Sequence, residues 1–440
     1  MASITGQMNS SASRILADSP MSSFQILVVF ISVLLNALDG FDVLAITFAA
    51  PGISEDWSIS RSALGVVISA SLAGMVAGSV LLAPFADRIG RRPTILFCLI
   101  LMAVGMLLTA TASSITMLGI YRVITGIGIG GIIPSITAVS AEFSNEKRRN
   151  FAVSAMTIGF PVGGLVGGMI SAELVDMSGW RAIFVAGGLL TAAFIPVVWF
   201  AMPESIEYLS ARGGPDAVNK INAILKRMGH ETISEADAPA PEPQKADPRE
   251  LLGPKYRTTT ILLISAYMLH LLTYYFYAGW LPKILTDSGY DIPTAIATSS
   301  IMHIGCIFGG MAIGWASHYI GLKRVAVISM AGTSVMLAVF AAVTDDLLTL
   351  RTVAVVLGVF MFGGIVGLYA FLARAFPARL RVTGCGMAIA CGRGGAVMGP
   401  ILGGVLLDAG LQASAALTVV GIAAAIGALF LLPIRMERAD

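Results

Sequence analysis

The chain has 440 residues, 56% of them hydrophobic and 12% charged, with a formal net charge of +2 and a mean hydropathy of +0.83. Soluble domains carry about 25% charged residues, so a water-soluble globule, or one hung from a single anchor, is excluded and an all-α polytopic membrane protein is expected. The small net charge carries little information, no nucleic-acid partner is expected, and the placement of the charges becomes the guide.

In chain order, the polar stretch 1–23 has no apolar core ending in a small-residue cleavage site, and is expected to be a disordered N-terminal tail rather than a signal peptide. Twelve segments then have the roughly 20 apolar residues that a membrane crossing needs: 24–51, 61–85, 94–112, 115–141, 150–173, 182–203, 259–282, 294–317, 323–344, 348–375, 382–408 and 411–434. Of the 28 basic residues, 22 fall on one side of these spans, four (Arg61, Arg181, Lys283 and Arg351) on the other, and Arg122 and Arg393 lie inside spans. Lys and Arg collect in cytoplasmic loops, so both termini are expected in the cytoplasm. The loop 204–258 separates a six-span half at 24–203 from a second at 259–434, with a short tail at 435–440. Within the loop, "PDAVNKINAILKRMG" has helical apolar spacing, whereas "ADAPAPEPQKADP" is too rich in Pro and Asp to fold alone.

The halves repeat. Ala86–Gly90 of "APFADRIGRRPT" aligns with Ser317–Gly321 of "GWASHYIGLKRV" at an offset of 231, and "EFSNEKRRN" aligns with "AFPARLRVT" at 233. Each of the second pair leads into a glycine-rich helix, "GFPVGGLVGG" and "GPILGG". Such glycines let helices approach closely.

Ionisable side chains inside the bilayer are costly and tend to face a wet cavity or one another. Asp39 and Asp42 stand three residues apart on one face of span 1; two neighbouring carboxyls in low dielectric suit proton exchange. Arg122 in span 4 lies at a depth like that of Asp42 and is expected either to pair with it or to act as a gate or anion contact. Arg393, within "CGRGG" near the midplane of span 11, presents a fixed planar fork suited to a carboxylate. In span 7, Tyr267, His270, Tyr274 and Tyr277 form one helical stripe, which is either packing or a binding wall. His303 in span 8 is either a structural histidine or a proton relay or ligand contact. The four cysteines are read as core residues, and neither a disulfide nor a metal site is expected.

The loop "APFADRIGRR" resembles the hallmark G-x-x-x-D-R-x-G-R-R of the major facilitator superfamily, matching at Asp87, Arg88, Gly90, Arg91 and Arg92, with Ala83 in place of the leading glycine. The resemblance implies a loop that locks the halves in one of two positions while they rock. The second copy carries His318 where the acid stood, which weakens any such lock there. "LDGFDVLAITFAAPGI" in turn resembles the D-G-x-D segment of the aromatic acid:proton symporters, at Asp39, Gly40 and Asp42, and "WLPKIL" and "CGRGG" are also similar to that family. This implies a multi-pass transporter of the inner (plasma) membrane that imports a benzoate-like or hydroxybenzoate-like anion with protons; as one twelve-span chain can form the whole pathway, it is expected to work as a monomer. The expected sites are proton coupling at Asp39 and Asp42 and substrate binding at Arg393, Tyr274, Tyr277, His270, His303 and Arg122. The driving force would be the proton gradient, with no cofactor. Rival readings are a carrier of a dicarboxylate or sugar acid, a drug exporter of the same fold, and a non-transporting membrane receptor; an enzyme is not expected, as no catalytic pattern stands out.

Overall fold

The computed structural model describes residues 11–233, 247–343 and 346–434. Its helices in chain order are α1 (Ser11–Asp18), α2 (Ser23–Trp57), α3 (Arg61–Leu81), α4 (Ala83–Ile89), α5 (Arg91–Ala110), α6 (Ile115–Glu142), α7 (Arg149–Ser178) and α8 (Arg181–Ala201). They continue with α9 (Ile206–Arg212), α10 (Pro215–Met228), α11 (Arg257–Asp287), α12 (Ile292–Ile320), α13 (Leu322–Ala342), α14 (Leu347–Ala375), α15 (Ala378–Asp408) and α16 (Ala413–Leu431). Twelve helical stretches, α2, α3 with α4, α5 to α8 and α11 to α16, are long and apolar enough to cross a membrane. The first span outruns its expected end at residue 51: α2 continues past Pro51 to Trp57, where Ile53 is still buried. The second is divided at Leu82 into α3 and α4.

Local chemistry sets the helix starts. Ser22 and Gln25 form a reciprocal capping box at α2: Gln25 N donates to Ser22 Oγ (3.3 Å) and Ser22 N to Gln25 Oε1 (2.8 Å). Ser60, Ser114, Asp291 and Asp346 accept from backbone N–H groups at the starts of α3, α6, α12 and α14. Gly90 (φ +104°) and Gly321 (φ +84°) join α4 to α5 and α12 to α13. Both take a left-handed backbone that a side chain would strain, and they stand at the 231-residue offset of the repeat.

The repeat governs packing as well. In the first half α2 packs on α7, α3 on α6, and α5 on α6 and α8. Their counterparts do the same, with α11 on α15, α12 on α14, and α13 on α14 and α16. The α3–α6 contact needs small residues: a side chain at Gly126 would fall on the Ser71 carbonyl.

The N-terminal tail departs from expectation. Residues Ser11–Asp18 form a helix with Ala12 and Leu16 buried, and Glu146 N donates to Ala17 O (3.1 Å). The reason is apolar spacing within a short polar stretch, which gains order only by docking on the first bundle. The expected loop helix is α10, whose buried Ile221, Leu225 and Met228 pack towards that bundle's core. Most of "ADAPAPEPQKADP", the tail 435–440 and residues 1–10 lie outside the described residues.

The two bundles touch mainly through α3 with α15 and α7 with α12, pairs exchanged by the repeat, and through α2 with α11. These contacts concentrate on the face opposite the central loop. Ser69 Oγ donates to Val397 O (2.7 Å), and Gly65 and Gly404 lie against the backbone of Pro400 and Arg61. At that rim, Asp408 on α15 accepts from Arg61 N (3.0 Å) and Ser62 N (2.8 Å), so one half caps a helix of the other, and Arg61 pairs with Asp287 (3.1 Å).

Candidate functional site

Asp39 and Asp42 share a helix but not surroundings. Asp42 points into the first bundle. Thr191 Oγ1 on α8 donates to its Oδ2 (3.4 Å), and Arg122 Nη2 on α6 donates to its main-chain carbonyl (3.3 Å). Arg122 is wholly buried; its Nη1 meets Met106 Sδ (3.1 Å) and its guanidinium lies 5.5 Å from the centre of the Phe184 ring. The expected meeting of Arg122 and Asp42 therefore runs through the backbone carbonyl.

Asp39 is also 0% exposed, but neither carboxyl oxygen has a hydrogen-bond partner. Asp42 and, from the other half, Arg393 are charged groups within its electrostatic range. An unpartnered buried carboxylate is expensive, so this position calls for a proton, a cation or an incoming donor. The glycine between the acids has a steric reason: a side chain at Gly40 would strike the Phe160 carbonyl on α7.

Arg393 is half-buried on α15 and shares a helical face with Val397, Pro400 and Gly404, the residues that close against α3. It stands one turn nearer the central-loop side than that closure. Of its neighbouring glycines, Gly392 lies against the Tyr267 ring, whereas Gly394 has nothing within 4 Å of where a side chain would begin. Around Arg393 collect Tyr267 and Tyr275, both within its electrostatic reach. Tyr369 packs at a tilt against Tyr267, with ring centres 5.5 Å apart, and is 37% exposed. A guanidinium, three tyrosines and an unsatisfied carboxyl thus lie within electrostatic range of one another near the boundary between the halves.

The remaining expected residues lie elsewhere. His270 Nε2 donates to the Met361 carbonyl (2.8 Å) inside the second bundle. Tyr277 packs edge-on against Phe340 (5.2 Å), and the buried hydroxyls of Tyr274 and Tyr277 have no partner. His303 sits at the α7–α12 contact beside Gly164, with Nδ1 donating to Ser300 O (3.2 Å). Tyr275 was not among the residues expected by number, and Tyr369 falls under the wider expectation of Tyr and Phe side chains from spans 7 and 10. Tyr275 follows Tyr274 and turns by about 100° per residue, which the stripe did not capture.

On the central-loop face, Arg91 pairs with Glu142 and with Glu207 (3.2 Å), and the Arg91 and Arg92 backbone N–H groups donate to Glu204 Oε1 (2.8 and 3.2 Å). Asp87 and Arg88 of the same loop are exposed. The three glutamates were absent from the expected set; their signal was acids at the ends of spans 4 and 6, in "AEFSNEKRRN" and "PESIEYL".

Against known proteins, the model of the Major Facilitator Superfamily matches residues 29–232 and 263–439. The chain is 32% identical over 418 residues to the gallate transporter of Pseudomonas putida, covering 94% of this chain and 93% of that one. It is 30% identical over 419 residues to the 4-hydroxybenzoate transporter PcaK of Pseudomonas aeruginosa, covering 92% of each. Among solved structures, the partially occluded inward-open xylose transporter XylE of E. coli superposes with a TM-score of 0.75 at 16% identity, over 95% of this chain and 99% of that one.

Proposed function

The chain belongs to the Major Facilitator Superfamily as a multi-pass inner-membrane transporter related to aromatic acid carriers, and from that premise we propose that it imports an aromatic carboxylate together with protons. The observation that carries this reading is the unpartnered, buried carboxyl of Asp39 within electrostatic range of Arg393 on the other half, with the Tyr267–Tyr369 ring pair and Tyr275 near the same arginine. A guanidinium fork matches a carboxylate, and phenol rings match an aromatic ring. The relatives named for gallate and 4-hydroxybenzoate support the same class.

Coupling follows from competition for one cation. While Asp39 is ionised it is the natural counter-charge of Arg393; once it takes a proton, Arg393 is left for the substrate carboxylate. Binding of the anion thereby favours proton uptake, and both charges cross together. The excess of basic residues assigns the central-loop face to the cytoplasm, so the rim closed by Asp408, Arg61 and Asp287 is external and the site opens inward. Outward opening must release those contacts, and the monomer contains the whole pathway. One proton per monoanion makes transport electroneutral, and one pH unit then drives about tenfold accumulation, about 1.4 kcal/mol.

The test is uptake into proteoliposomes under an inward proton gradient, with labelled benzoate, 4-hydroxybenzoate and gallate beside an aliphatic dicarboxylate and a sugar acid. Accumulation of an aromatic acid that a protonophore abolishes is the expected result. Movement of the dicarboxylate or sugar acid alone would refute the substrate class, and accumulation indifferent to the protonophore would refute the coupling.

A further inference from the structure

On the central-loop face, a cleft of about 770 Å³ lies between the start of α5, the end of α8, α9 and the start of α10. Arg92, Arg212 and Lys220 line it, together with Glu204 and Asp216. The acids do not cancel this charge. Glu204 Oε1 is committed to three backbone donors, Arg91 N (2.8 Å), Arg92 N (3.2 Å) and Ser205 N (2.8 Å). Asp216 stands in the first turn of α10, where the helix dipole takes up its charge. Arg212 reaches only the Tyr208 hydroxyl (3.3 Å), Lys220 is exposed, and Arg92 Nε is shut from solvent without a partner.

The wall is also amphipathic. The Arg92 guanidinium lies over the Trp199 indole at 5.4 Å, and Trp199 (57% exposed) and Phe200 (77%) end the membrane-crossing α8. Aromatic residues at such an end sit at headgroup depth. Below them, Phe97, Ile100 and Val104 on α5 leave an exposed apolar flank that an acyl chain can follow.

We propose that this cleft binds a phosphate-bearing anion, met in the membrane as the headgroup of an anionic phospholipid. Arg212 and Lys220 supply charge to the phosphate, Trp199 marks the boundary between headgroup and chain, and the α5–α8 flank takes the acyl tail. A soluble phosphate ester shares the anionic contacts but has no use for the flank. Binding there would tie the central loop to the first bundle beside the Arg91–Glu142 pair. The site is independent of the aromatic-acid reading.

The experiment is native mass spectrometry of the purified full chain with phosphatidylglycerol or phosphatidylcholine, paired with thermal unfolding during lipid titration. Wild type should retain phosphatidylglycerol preferentially. The variant Arg212→Gln/Lys220→Gln, changed only at exposed positions, should lose about tenfold in retention with an unaltered lipid-free melting temperature. A control, Lys147→Gln/Lys226→Gln, removes the same charge from exposed positions outside the cleft and should behave as wild type. Retention unaltered in the first variant, an equal loss in the control, or no preference over phosphatidylcholine would each overturn the proposal. Glycerol 3-phosphate and inorganic phosphate are added as competitors: displacement of the lipid supports the phosphate chemistry and identifies a soluble source, whereas lipid held against them supports the headgroup.

Discussion

At the scale of residues, the two span 1 acids are expected to fail differently. Asp39→Asn removes the group that competes for Arg393, so the variant should still exchange labelled substrate across the membrane while its gradient-driven accumulation falls to about unity. Asp42 is held by Thr191 within the first bundle, and Asp42→Asn should depress exchange and accumulation together. Identical phenotypes would discard this division of roles. Arg393→Lys keeps the charge but loses the fork, and should raise the half-saturation concentration about tenfold or more with little change in insertion. Tyr275→Ala should weaken binding more than Tyr277→Ala, because Tyr275 lies within electrostatic range of Arg393 and Tyr277 faces Phe340; binding measured by substrate protection against unfolding ranks them.

At the scale of elements, helix ends decide closure. Asp408 caps α3 from the opposite half, and a lost cap costs about 1 kcal/mol. Asp408→Ala should therefore shift the population by about fivefold toward the form opened on that face. Spin labels at Ser113 and Gln412, both on that face, would record the longer distance; an unchanged distribution would remove Asp408 from the closure. Asp291 caps α12 within its own half, accepting from Thr294 N (3.0 Å), and that hydrogen bond holds its carboxyl below the usual value. Its contribution is complete above the ordinary aspartate range near pH 4 and is lost as pH falls through the lowered value. Asp291→Ala should thus melt earlier than wild type at pH 7, with the gap narrowing in acid. A gap that persists or widens in acid contradicts the cap. Elements also record what sequence could and could not supply. All twelve spans were visible because length and apolar content suffice to find them, and the α10 helix because its apolar residues recur at helical spacing. The docking of α1 was not, because eight residues show a helix only when something receives their apolar side.

At the scale of the molecule, the repeat makes two similar bundles that meet through a pair of exchanged contacts. Contacts exchanged by the repeat, α3 with α15 and α12 with α7, seal one face, and on the other the segment Asp87–Arg92 is held within the first half by Glu142, Glu204 and Glu207. If one proton accompanies one monoanion, accumulation should follow the pH difference and ignore an imposed potential. If two protons enter, an inside-negative potential adds about 2.3 kcal/mol per 100 mV. Varying a potassium diffusion potential at fixed pH difference separates these outcomes, and a monoanion flux that an inside-negative potential slows would exclude both.

The sequence alone determined the class of the protein, the twelve spans, the two repeated halves and the residue types from which the candidate site draws: acids in span 1, an arginine in span 11, tyrosines in span 7. Tertiary structure alone decided which way each of them turns. A helix that is apolar on every side has no polar face by which its rotation can be read, so Asp39 and Asp42, or Tyr274 and Tyr275, look interchangeable in the sequence. Only tertiary packing set Asp39 and Tyr275 within electrostatic range of Arg393 while turning Asp42 to Thr191 and Tyr277 to Phe340. The same holds for the partners at helix ends. Asp408 and Arg61 lie 347 residues apart, and what joins them is the shape of the closed rim.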